Sequence, residues 1–391
     1  MKGPPAILVR FVGHVAKRCP AVLMSLFLVA CAGIDGTDGS GRGVRLAPDG
    51  PRVEGLRAYL VAGMAAGEGD PRAADFYLAA LADDPDNPRL LRQAFLSLII
   101  AGRMREAAGL QERLTRSGEG GDLARLVAAL RDFRNGRAEA ASRQLDQLEA
   151  RGFEQLIRPV IKAWIIAGQG HRDEALRALS PLDSRFGLMN YAKMERAFLL
   201  DYFGDVERAA VAYKALVYAK GLTSLQPVMS YAALLQRTGR AQEAKAMLAD
   251  MRRLYPNNDF LEAISASLTR GERLKPVASK PEGAVALLLF RTAGDLGRQR
   301  AWRPAIVYAR LAAWLAPRMS DVHLRLGALL SAAGYHRLAL RALDRLPSSD
   351  PLYPRAQRQK AWVYRQAGEQ EKAIAALEQY LVRHPEDDEA W

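Results

Sequence analysis

Nine alanines in one register constrain this chain more than any other feature. From Glu54 the sequence divides into 34-residue units, 54–87, 88–121, 122–155, 156–189 and 190–223. A sixth unit follows at 225–258 after one extra residue, and three more lie at 286–319, 320–353 and 354–387. The twentieth residue of the nine is Ala73, Ala107, Ala141, Ala175, Ala209, Ala244, Ala305, Ala339 and Ala373. Such a fixed period marks a repeat architecture, in which each unit buries its apolar face only by stacking on its neighbours.

Other places in the unit supply the mechanics. The fifteenth residue is glycine in seven units, Gly102, Gly136, Gly170, Gly204, Gly239, Gly334 and Gly368, and glycine takes the left-handed conformation that ends a helix. Pro85, Pro256, Pro317, Pro351 and Pro385 stand near the close of their units, where proline disfavours helix at the residue before it. Each unit therefore reads as helix, tight turn, helix, break. The eighth residue, facing the invariant alanine, is small at Ala129, Ala163, Ala197, Ala232, Ala293, Gly327 and Ala361, which allows two helices to approach closely. The eleventh place stays apolar at Met64, Leu98, Ile166, Leu200, Leu235, Leu296, Leu330 and Tyr364, and Asp132 breaks the rule.

These alanine, glycine and proline places resemble the tetratricopeptide repeat family over residues 54–387, with an insertion at 259–285. The resemblance implies an all-α fold, an α-solenoid wound as a right-handed superhelix of about nine helix pairs. The family's aromatic at the fourth place and leucine at the seventh are mostly replaced, as Arg57, Arg125, Lys193 and Gln357 show. The insertion reads as a lone helix, Leu261 to Leu268, and a loop through Pro276 and Pro281. It separates a six-unit array (54–258) from a three-unit array (286–391) that closes on the opening of a tenth unit, Asp388 to Trp391. An array open at that point is expected to continue in further sequence, because a solenoid end exposes apolar surface.

The N-terminus has a different character. Lys2, Arg10, Lys17 and Arg18 precede an apolar run from Ala21 to Ala30, which is the layout of a signal peptide. The run is shorter than the roughly 20 residues that span a bilayer. Its end, Leu28, Val29, Ala30, Cys31, resembles the lipobox of bacterial lipoproteins. That resemblance implies a signal peptide over 1–30, a lipid on the Cys31 thiol and a flexible, glycine-rich tether over 31–53. Ala32 in place of Asp resembles the pattern sorted to the outer membrane, so the expected location is its periplasmic face. The cysteines are Cys19 and Cys31, leaving no thiol beyond Cys31 for a disulfide or metal cluster.

A net charge of +13 raises nucleic acid as a partner. The arginines are spread singly, as at Arg125, Arg131, Arg134 and Arg137, rather than gathered into the basic patch that reading needs. No phosphate loop, nucleophile elbow or metal-binding pair occurs, and His171, His323, His336 and His384 fall in different helices. His323 and His336 read as surface residues. Asp83, Asp84 and Asp86 lie beside Pro85 and Pro88, where helix capping explains them. No catalytic residue, metal or cofactor is expected.

What remains is the groove. The resemblance implies that the second, fifth, ninth and twelfth residues of each first helix line the concave face. In the third to fifth units these include Leu126, Leu130 and Phe133, then Val160 and Trp164, then Tyr191, Met194 and Phe198. Two readings stand open: a band buried by tight winding or by a neighbouring segment, or a docking site for a helix or peptide. Lys and Asn at the fifth and ninth places, which would resemble the family's carboxylate clamp, are missing. The expected function is a protein-interaction scaffold that docks cell-envelope proteins. The alternative is the regulatory array of an enzyme whose catalytic domain lies beyond Trp391.

Overall fold

The computed structural model describes residues 51–391 apart from 119–120, 150–151, 186, 220–223, 257, 351 and 386–391. The signal peptide, Cys31, most of the tether and the start of the tenth unit lie outside the described residues. What is described belongs to one compact unit, Asp49–Trp391, and is all-α. The first array comprises α1 (Pro51–Gly67), α2 (Ala73–Asp83), α3 (Pro88–Ala101), α4 (Met104–Arg116), α5 (Gly121–Arg134), α6 (Ala138–Asp146), α7 (Glu154–Gly168), α8 (Arg172–Arg177), α9 (Met189–Tyr202), α10 (Val206–Val217), α11 (Gln226–Arg237) and α12 (Ala241–Leu254). A lone α13 (Asp259–Thr269) follows. The second array comprises α14 (Pro281–Arg298), α15 (Trp302–Leu315), α16 (Ser320–Ala332), α17 (His336–Leu343), α18 (Tyr353–Gln366) and α19 (Gln370–Leu381). The fold is an α-solenoid of helix pairs. Pro281, read from the sequence as part of a loop, instead starts α14, where a missing N–H costs nothing.

The turn glycines do what their chemistry allows. All seven have φ between 73° and 86°, a region that costs other residues about 1–2 kcal/mol. Gly102 N–H donates to the Ile99 carbonyl at 2.9 Å and Arg103 N–H to that of Leu98 at 2.8 Å, closing orphan carbonyls of α3 in a Schellman motif. The long bond of that pair recurs from Arg137 to Asp132, His171 to Ile166, Asp205 to Leu200 and Arg240 to Leu235. In the seventh unit the register falls on Arg300, the one non-glycine with positive φ among the described residues, at 58°. All nine register alanines are buried. Asp132 is tolerated at its buried place because Arg137 reaches it at 2.6 Å.

The first unit departs from the register by one residue. Its left-handed glycine is Gly69, and Asp70 N–H donates to the Ala65 carbonyl. Ala65 is therefore buried where Met64 was expected, and Met64 is 69% exposed.

The two arrays do not run on in one direction. The second folds back along the concave face of the first, placing α14 against α7 and α15 against α3 and α5. Arg310 of α15 donates from Nε to the Ile100 carbonyl at 2.8 Å, a side chain capping the last turn of α3. Arg134 lies over the Trp314 ring at 5.6 Å. The buried Tyr335, in the turn between α16 and α17, packs against Gly69, where a Cβ would meet its ring at 2.1 Å. His323, read from the sequence as a surface residue, is buried on α16, with Nε2 2.9 Å from the Pro317 carbonyl.

Candidate functional site

The expected concave band is present but not open. Leu126, Leu130 and Phe133 on α5, Val160 and Trp164 on α7, and Met194 and Phe198 on α9 are all buried, and Tyr191 is half-buried. Of the two readings left open, burial by a neighbouring segment holds for Leu126, Leu130, Phe133, Val160, Trp164 and Phe198, and their expectation as a solvent-facing docking surface is corrected. The physical reason is the fold-back: α15 covers the helix carrying Phe133, and α14 covers the helix carrying Trp164. Trp164 keeps its indole N–H satisfied, donating to Glu195 Oε2 at 2.9 Å, with Tyr202 edge-on at 5.6 Å.

Glu195 is itself deeply buried, and its second oxygen accepts from Arg291 of α14. A buried carboxylate with two charge-compensating or hydrogen-bonding partners avoids the cost of an unpaired charge. Nearby, the Tyr191 hydroxyl donates to Asp295 of α14. Burial and the Asp295 carboxylate push the Tyr191 pKa well above the usual tyrosine range. Tyr308 of α15 donates to Glu154 at 3.3 Å, and burial together with Glu154 raises its pKa likewise. Polar bonds thus tie the filling helices to the groove at several points.

Beyond the filled stretch, the groove opens into a cleft of about 980 Å³. Its walls come from α9, α11, α14 and the start of α16, with Phe260 of α13 and Val277 of the loop at one side. Of the eight expected groove residues, only Tyr191 and Met194 reach it. Apolar lining comes also from Phe153, Leu156, Leu287, Phe290 and Met319, and charge from Arg291, Arg298, Arg325, Asp295 and Asp321. Burial is the main influence raising the Asp321 pKa, opposed by Arg355 and Arg325. The size is at the top of the range for small-ligand sites.

Sequence reasoning missed the α14 and α16 contributors, because a groove was sought within one array. A signal was available. Arg291 and Asp295 sit four residues apart inside the apolar run AVALLLFRTAGDLG, and charges on a buried helix need partners. Among the described residues, no group of three or more His, Cys, Asp or Glu is arranged to hold a metal ion, and no helix is long and apolar enough to cross a membrane.

Residues 354–391 match the family model described as tetratricopeptide repeat; all of the α18–α19 pair but its first residue, Tyr353, falls within them, and the pair shares its register with the units before it. No curated protein matches the chain in sequence. Solved structures similar to it include Naa15/Naa10 bound to HypK-THB, at 16% identity over 83% of this chain and 57% of that one, with a TM-score of 0.36. The TPR domain of P58(IPK) is 14% identical over 86% and 95% of the two chains, with a TM-score of 0.25. Yeast Tom70 is 12% identical over 83% and 91%, with a TM-score of 0.23. The chain thus spans just over half the length of the first of these.

Proposed function

We propose that the chain is a docking scaffold of tetratricopeptide type, tethered by a lipid on Cys31 to the outer membrane and presenting its solenoid to periplasmic protein partners. The observation that carries the docking role is the open apolar cleft on rigid helices, a form that suits an inserted peptide or helix. The tethering half rests on the sequence alone: the basic leader, the apolar run and the Leu28-Val29-Ala30-Cys31 ending. Two acyl chains on one residue suffice for stable anchoring.

Each half has its own test. Replacing Cys31 by Ser removes the nucleophilic thiol, so labelled palmitate should enter the wild type and not the variant; equal labelling would sink the anchor. For docking, a photo-reactive phenylalanine analogue is placed at Met229, a half-buried residue of the cleft wall, and at Val211, 72% exposed on α10. Cross-linking to the same protein partner in membranes is expected from the first site and not the second. A reversed pattern would place docking on another surface.

A further inference from the structure

Three guanidinium groups line the cleft, and their partners are unequal. Glu195 answers Arg291, and Asp295 answers Arg298. Arg325 of α16 has no carboxylate within 4.0 Å among the described residues. Its guanidinium lies 4.3 Å from the Phe290 ring centroid, a cation–π seat. Gly294 completes that seat: a Cβ there would stand 3.0 Å from Arg325 Nη1. A glycine inside a helix is disfavoured against alanine, and here it leaves room for a charged side chain to lie flat.

The hydrogen-bond inventory of the cleft is unbalanced in the same sense. Arg291 is 7% exposed in its side chain, yet its Nε and Nη1 have no acceptor. Arg325 Nε has none either, and Gln226 Oε1, in the opposite wall, has no donor. Buried polar atoms are nearly always paired. Those four atoms are sealed from solvent and out of a ligand's reach, so the accessible cation without a counter-charge in this cleft is the Nη end of Arg325. A carboxylate is the complement of that cation, and the apolar lining supplies seats for neighbouring side chains. The cleft's own Asp321 makes no ion pair with Arg325 within 4.0 Å among the described residues.

Building on the scaffold reading, we propose that this cleft receives an apolar peptide segment bearing a carboxylate, with the Nη end of the Arg325 guanidinium as the carboxylate's partner. Phe290 and Gly294 position Arg325. Charge-assisted bonds to a guanidinium are about twice as strong as neutral ones, so the carboxylate carries the selectivity and the apolar neighbours carry the contact area.

The test uses the full chain and an array of immobilised dodecamer peptides, each apolar sequence present as twins with Glu or Gln at its centre. The best twins are then titrated in solution by fluorescence anisotropy. The wild type is expected to bind the Glu twin at least about tenfold more tightly. Arg325→Met should erase that preference, and Gly294→Ala should reduce it by displacing the guanidinium. Arg325→Lys, which keeps charge but not the flat stacked fork, should retain only part. Helicity by circular dichroism is read for every variant, and if Arg325→Met unfolds, the lysine and alanine variants decide. Equal affinity of the wild type for the twins, a preference that survives in folded Arg325→Met, or no binding to any twin would overturn the proposal. Cross-linking from Met229 without a Glu preference would leave the scaffold reading standing and remove this one; absence of both would remove both.

Discussion

Along α5 and α7 the groove positions are apolar and dry, covered by α15 and α14; along α9 and α11 equally apolar positions border an open cleft. The local sequence does not distinguish the two stretches. Leu130 and Trp164 in the first differ little in kind from Met194 and Met229 in the second. What differs is whether the returning array reaches them. A solenoid's groove is therefore not a binding surface by virtue of its residues alone; a later part of the same chain can occupy it, and function moves to where the occupation stops.

The sharpest way to break this comparison is Trp164→Ala. Trp164 is the bulkiest fully buried side chain among the described residues, and truncation of such a residue costs about 3–5 kcal/mol. Urea denaturation should show that loss, with early melting of the fold. If the variant keeps its stability, α14 does not cover α7 and the dry half is open after all. Glu195→Gln should cost about 3 kcal/mol by leaving the Arg291 charge buried without its counter-charge. Its signature is faster tryptic cleavage after Arg273, exposed in the loop that leads into α14. Unchanged cleavage would mean that the buried pair does not hold the returning array in place.

Helix-pair packing should be alike on both sides of the comparison. Ala141 on α6 belongs to the covered half and Ala209 on α10 to the open half, and both are fully buried. Enlarging either to Leu should overpack its pair, at about 1–3 kcal/mol. Similar losses of stability in the two variants are expected; a loss confined to Ala141→Leu would tie these alanines to the fold-back rather than to their own hairpins.

The same contrast explains how much was legible. Repeat length, turn glycines and register alanines follow from interactions within one unit, so the sequence displays them at constant spacing. The fold-back depends on contacts separated by many units, such as Arg310 with Ile100 and Tyr335 with Gly69, and nothing periodic records them. For that reason Tyr191 and Met194 were found from the groove places, while Arg325, Gly294 and Gln226 were not. The first unit shows the limit from the other side: one residue of slippage put Met64 in water, although the Ala73 register continued unbroken.

Acid should act on the covering array. His323 of α16 has its pKa lowered by burial, and Arg345 and Arg310 add to the shift against the Pro317 carbonyl and Asp350. The folded state then resists the proton that the unfolded chain accepts near pH 6.5. A depressed folded pKa contributes stability that is present above the unfolded value and is lost as pH falls through the folded one. Thermal midpoints measured from pH 7.5 down to 5 should therefore fall less steeply in His323→Gln than in the wild type. Parallel slopes would exclude His323 as a source of acid sensitivity in this part of the fold.

The smallest effect concerns the hairpin that does the covering. Every other turn of this type uses glycine in the left-handed region, but α14 and α15 are joined through Arg300 at φ 58°. An L-residue there bears about 1–2 kcal/mol of strain, and Arg300 is exposed, so its side chain offers little packing in return. Arg300→Gly relieves the strain but gives the unfolded chain more freedom, which offsets about 0.4–1 kcal/mol. The net expectation is a gain of about 0.5 kcal/mol. Its mirror is Gly334→Ala, at the same register in the next hairpin with φ 81°, which should lose about 1 kcal/mol. Urea midpoints of the two variants and wild type, measured side by side, resolve the opposite signs. A loss in both would mean that the α14–α15 turn is held by something other than the backbone geometry shared by the other hairpins, and the covering array would then differ from the covered one in its turns as well as in its place.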